Sequence, residues 1–127
     1  MGASAMLRLI FGLALALAPL STASAMPVSV FLTKANALKK KGPLAMFSGD
    51  LKLLMNQVKA DLAGIRSERL AAKAAGKPTD FCPPEAGTKL TDEDIVAAMQ
   101  AVPPTVRPST STRQALKAML VRRYPCR

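Results

Sequence analysis

The residues of this chain that could do chemistry are two cysteines, Cys82 and Cys126, and a few carboxylates. There is no histidine, which removes Ser-His-Asp and Cys-His nucleophile activation and every histidine metal site. Two thiols are too few for a structural zinc site of their own. Asp80, Glu85 and the run Asp92-Glu93-Asp94 could supply paired acids or metal ligands. Consecutive residues on a helix point in different directions, however, and no spacing here sets two carboxylates across a cleft. Glycine-rich phosphate loops, calcium-loop patterns and nucleophile elbows are also missing. The chain therefore reads as non-enzymatic, with no cofactor and no metal.

The cysteines gain a different meaning from the start of the chain. Arg8 precedes an apolar run, Leu9–Leu17, which is followed by Pro19 and by Ala23-Ser24-Ala25. This is the basic, apolar and small-residue order of a secretory signal peptide over residues 1–25, with cleavage expected before Met26. An uncleaved membrane anchor is the alternative, although the apolar run is short for a span. An exported chain, periplasmic or secreted, favours a Cys82–Cys126 disulfide over two free or intermolecularly paired thiols. Such a bridge would close about 45 residues and contribute about 4 kcal/mol by loop entropy. That matters in a single domain of residues 26–127, whose core is modest and whose aromatic content is only 4%.

The elements that would position these residues read as helices, giving a small all-α domain of about four helices with one disulfide. Phe31, Ala35 and Leu38 share a face of a first helix, with Ser29 able to cap it and Gly42-Pro43 ending it. Leu44–Phe47 forms at most a helical turn, after which Ser48 or Asp50 can cap a long helix from about Leu51 to Ala75. Its apolar stripe is Leu51, Met55, Val58, Leu62 and Ile65, with Leu54 beside it. Beyond Gly64 the stripe thins, and the distal part of the helix is expected to be the more exposed. A proline-rich loop, residues 76–90, carries Phe81 beside Cys82. Thr91 and Asp94 then form a capping box for a short helix faced by Ile95, Val96, Met99 and Val102. A polar connector through Pro108 leads to a second box, Ser111 with Gln114, opening a helix to about Arg123 with Leu116, Met119 and Leu120 inward.

Charge is the other strong signal. The chain carries a formal +10, all but one unit of it outside the leader. Export disfavours nucleic acid as the counterpart of this excess and leaves an anionic envelope surface or an acidic protein. Lys39, Lys40 and Lys41 sit where cations suit a helix C-terminus, although they could equally form an anionic-surface patch. Lys52, Lys59, Arg66 and Lys73 recur every seven residues along the long helix. They are either a solvated border whose stems cover the core edge or an electrostatic footprint for a partner. Of these, Lys52, Lys59 and Arg66 are the first candidates for a partner-binding surface.

Phe81-Cys82-Pro83-Pro84, a capped helix, Pro103, a second helix and the ending Tyr124-Pro125-Cys126 resemble the C-terminal half of the Rap/Tai family. These are small exported helical proteins, several of them immunity proteins against amidase toxins delivered by type VI secretion. The resemblance implies a periplasmic binding protein that would occlude a secreted cell-wall hydrolase, with Cys82 and Cys126 in a structural role. Family members typically carry further cysteines in their N-terminal half, whereas residues 26–81 here have none, so no toxin-binding residue transfers. The alternative expectation, from charge alone, is a basic envelope-associated structural or adaptor protein that binds anionic lipid or wall polymer.

Overall fold

The computed structural model describes residues 25–127. The leader, residues 1–25, therefore lies outside the described residues except for Ala25. Four α-helices follow: α1 (Val28–Lys41), α2 (Gly49–Ala74), α3 (Asp92–Gln100) and α4 (Thr112–Arg123). Two 3-10 segments, Gly42–Phe47 and Pro104–Ser109, join α1 to α2 and α3 to α4. The fold is the expected small all-α domain closed by one disulfide, Cys82–Cys126.

Helices α1 and α4 lie centrally. Each packs against the other, and each also packs against both α2 and α3, whereas α2 and α3 do not meet. The core is a single cluster built from Val28, Phe31 and Leu32 of α1, Leu54 and Ile65 of α2, Met99 of α3 and Leu116 and Leu120 of α4. Phe81 enters the same cluster from the long loop. Aliphatic side chains on four short faces thus do the work that few aromatics can do here.

Both capping boxes form. Thr91 Oγ1 accepts from the Asp94 N–H at 3.2 Å, and the Asp94 carboxylate accepts from the Thr91 N–H at 3.0 Å. Ser111 and Gln114 repeat the exchange at 3.1 and 2.8 Å. Ser48 caps α2, accepting from the Asp50 N–H at 3.3 Å.

The start of α1 differs from expectation. Ser29 lies inside the helix, and its N-cap is Pro27, which offers no side-chain cap. Tertiary backbone bonds replace one. Val28 N–H donates to Thr110 O at 2.8 Å, and Thr112 N–H donates to Met26 O at 2.9 Å. This short antiparallel bridge ties the beginning of α1 to the beginning of α4. The connector before α4 is likewise more ordered than its polarity suggests. It coils as Pro104–Ser109, and Arg107 donates to Val102 O at 2.8 Å and Gln100 O at 3.0 Å, satisfying carbonyls left over at the end of α3.

The inward face of α2 is also rotated from the expected stripe. Leu54, Asp61 and Ile65 are its buried residues, Leu51, Val58 and Leu62 are half-buried, and Met55 is 49% exposed. A polar residue sits at the centre of that face, so a hydrophobic count alone places the stripe one residue too far round the helix. The distal half of α2 is mostly exposed but not detached. Arg69 lies over the Phe81 ring at 5.7 Å, and Glu68 pairs with Arg113 of α4. Gly64 makes room for that arginine, since a Cβ there would stand 2.8 Å from its guanidinium.

Candidate functional site

Three places in the fold hold chemistry-bearing residues: the disulfide, a buried aspartate and the lysine-rich end of the molecule. Cys82 and Cys126 are joined with their Cα atoms 4.9 Å apart. Cys82 N–H donates to Tyr124 O at 2.7 Å, so the chain end is held to the loop by backbone as well as by sulfur. Thr79 Oγ1 stands 3.8 Å from both sulfurs. The group is a cross-link in which, among the described residues, both cysteines are consumed. A disulfide fits the oxidising location that export implies, and among the described residues no helix is long and apolar enough to cross a membrane.

Asp61 is not singled out by sequence spacing, and only its position reveals it. It is 7% exposed beneath α4. One carboxylate oxygen accepts from the hydroxyl of Thr112, which is fully buried, and the other accepts from Gln57 Nε2 at 3.0 Å. Thr112 is the first residue of α4, so the negative charge also sits at the positive end of that helix. Both oxygens are occupied by local donors. The group therefore anchors α4 to α2.

The lysine-rich end is open to solvent. α1 finishes in Lys39, Lys40 and Lys41, and Gly42 turns the chain with φ +56° while its N–H donates to Lys39 O. Pro43 then starts the 3-10 turn Gly42–Phe47. This turn presents its apolar side chains outward: Leu44 is 71% exposed, Met46 79% and Phe47 89%. Met46, Leu51, Lys52, Met55 and Lys59 line a shallow groove of about 300 Å³ between the turn and the first three turns of α2.

Between residues 28 and 59 the chain holds six lysines and a single acid, Asp50. That acid is already committed. Lys34 Nζ approaches it at 2.7 Å, and this hydrogen bond holds its carboxyl below the usual aspartate range. Lys39, Lys40, Lys52 and Lys59 form no ion pair among the described residues. The other acids lie elsewhere. Glu68 and Asp80 face Lys117 and Arg113 of α4, and Asp94 pairs with Arg123 at 3.1 Å.

Of the three residues expected to mark a partner surface, Lys52 and Lys59 are brought together along the groove. Arg66 is exposed on the same helix but stands about 10 Å further along it and does not line the groove. The exposed turn was legible in the sequence only as four apolar residues, Leu44–Phe47, between helices.

No family model matches the chain, and neither a curated protein nor a solved structure does. What the lysine-rich end does must be argued from its own geometry. Cations without partners, an apolar rim and an open groove suit association with an anionic body.

Proposed function

We propose that this chain is an exported binding protein, without catalytic activity, that engages an anionic envelope component through its lysine-rich end. The observation that carries the reading is the segregation of charge: six lysines face one paired aspartate across α1, the exposed turn and the start of α2. Fractionation of cells producing the full chain tests it. The protein should sediment with envelopes in about 0.01 M salt and be released in about 1 M salt, where the screening length falls from about 30 Å to about 3 Å. The combined change Lys52→Glu and Lys59→Glu should leave it soluble at both salt levels. A wild-type chain that stays soluble at low salt would remove the proposal.

A second reading is favoured by the Cys82–Cys126 cross-link, which closes the helix–proline–helix segment that resembles immunity proteins. In that case the partner is a secreted cell-wall amidase, and the flank Lys52, Lys59 and Arg66 is the face to test. Cells exporting the amidase should survive when they also export this chain, and charge reversal along the flank should abolish the protection. Equal killing with and without the chain would end this reading.

A further inference from the structure

The exposed turn adds information that charge alone does not. Leu44, Met46 and Phe47 are among the most exposed large apolar side chains among the described residues, and they are near neighbours in sequence. Nothing in the packing of the domain requires them there. The turn contributes no buried residue to the core, and of its side chains only Ala45 packs against it. Large apolar side chains exposed this close together in the chain point to a site of association.

Lysines adjoin it. Lys39, Lys40 and Lys41 immediately precede the turn, and Lys52 shares the groove with Met46. An exposed apolar turn preceded by three lysines and flanked by Lys52 has the make-up of an interfacial membrane contact. There apolar side chains enter the acyl boundary while ammonium groups remain among the headgroups. A protein partner fits less well, because lysine is depleted from protein–protein interfaces while arginine is enriched, and the cations around the tip are all lysines. A charged wall polymer would account for the lysines but would leave Phe47 and Leu44 in water.

We infer that the 3-10 turn Gly42–Phe47 is a membrane-docking wedge. Leu44, Met46 and Phe47 enter the surface of an anionic phospholipid bilayer, and Lys39, Lys40, Lys41 and Lys52 hold the headgroups. This rests on the reading of the lysine-rich end as the binding end, and it names the occupant.

The chain contains no tryptophan, so Phe47→Trp introduces a single tryptophan at the tip, a residue that itself suits the interface. The probe is a vesicle of phosphatidylcholine containing about one-third phosphatidylglycerol, compared with phosphatidylcholine alone. The Phe47→Trp chain should show blue-shifted emission, quenched by brominated acyl chains, with the anionic vesicles only. Phe47→Ser, at a position 89% exposed and so neutral for folding, should weaken co-sedimentation about tenfold or more. Each of Lys39, Lys40 and Lys41 changed to Gln should weaken it about fivefold, the ratio that corresponds to ~1 kcal/mol per basic residue at an anionic surface.

Vesicle binding with no spectral shift and no loss on Phe47→Ser would overturn the wedge. Absence of vesicle binding, with envelope sedimentation intact, would overturn the lipid assignment and leave the anionic-partner reading standing. Self-association abolished by Phe47→Ser, without vesicle binding, would give the tip to a second copy of the chain. Loss of envelope sedimentation itself would remove the reading on which the wedge rests.

Discussion

Asp61 and Thr112 carry a structural weight out of proportion to their number. A carboxylate with so little exposure is costly unless its oxygens are accepted into a local network. Here Thr112 and Gln57 supply both hydrogen bonds, and among the described residues no buried side-chain polar atom lacks a partner. Thr112→Val keeps the shape and deletes the donor, stranding one oxygen against α4. Its expected cost is about 1–3 kcal/mol, the penalty for leaving a buried polar group unsatisfied. Thr112→Ser should recover most of this, because it restores the hydroxyl and loses one methyl. Urea unfolding of the three chains measures both values, and a Thr112→Val chain as stable as the parent would mean that water or a shifted Gln57 satisfies Asp61. Phe47 is the residue-scale opposite: a large apolar side chain 89% exposed, which the fold does not need and which a partner could use.

Helices α3 and α4 are short, 9 and 12 residues, and short helices depend on their ends because an isolated helix of this length is marginal in water. Thr91→Ala and Ser111→Ala should each cost about 1 kcal/mol, the usual penalty for losing an N-cap oxygen. Because the two caps do not share partners, the double variant should lose close to the sum, measured as the shift in urea midpoint at constant slope. A loss well beyond the sum would show that the caps are coupled through the α3–α4 contact. These caps were legible in the sequence because a capping box is written in residues three apart and needs nothing from the rest of the chain. The four helices and the disulfide were legible for related reasons of period, proline placement and cysteine count. The start of α1 was not, because its Val28 N–H is satisfied by Thr110 O while Met26 O accepts from Thr112 N–H of α4, a relation that is tertiary. Nor was the true face of α2, since Asp61 reads as an outward residue until Thr112 is known to lie over it. The candidate surface was half legible. Periodicity picks out Lys52 and Lys59, but only the fold shows that Leu44, Met46 and Phe47 turn outward and that Met46 shares a groove with those lysines.

At the scale of the whole molecule, charge is divided between two regions with different physics. Around α4 three of the four cations are paired, Lys117 with Asp80 and Glu68, Arg113 with Glu68, and Arg123 with Asp94, and Arg122 is not. Around the exposed turn they are not, and the repulsion among them is the cost of keeping a cationic surface ready for an anionic one. The disulfide offsets such costs by tying the chain end to the loop across a separation of 44 residues, worth about 4 kcal/mol in loop entropy. The paired acids and Lys117 also set how stability depends on pH. Asp50 titrates below its ordinary value of 3.8 because Lys34 donates to it, and Asp94 does so because the Thr91 backbone N–H and then Arg123 donate to it. Folding favours the ionised form of both, so their contribution is whole above 3.8 and is lost as pH falls through the lower folded values. Lys117 is raised above its ordinary 10.5 first by its hydrogen bond to Asp80. Its contribution is whole below 10.5 and is lost as pH rises through the folded value. All three groups are at or near the surface, so each effect is small. No histidine titrates between them. The urea midpoint should therefore stay level from about pH 5 to about pH 9 and fall on the acid side as Asp50 and Asp94 take up protons. A step between about pH 6 and pH 7 would contradict this assignment, since no side chain named here changes charge in that window.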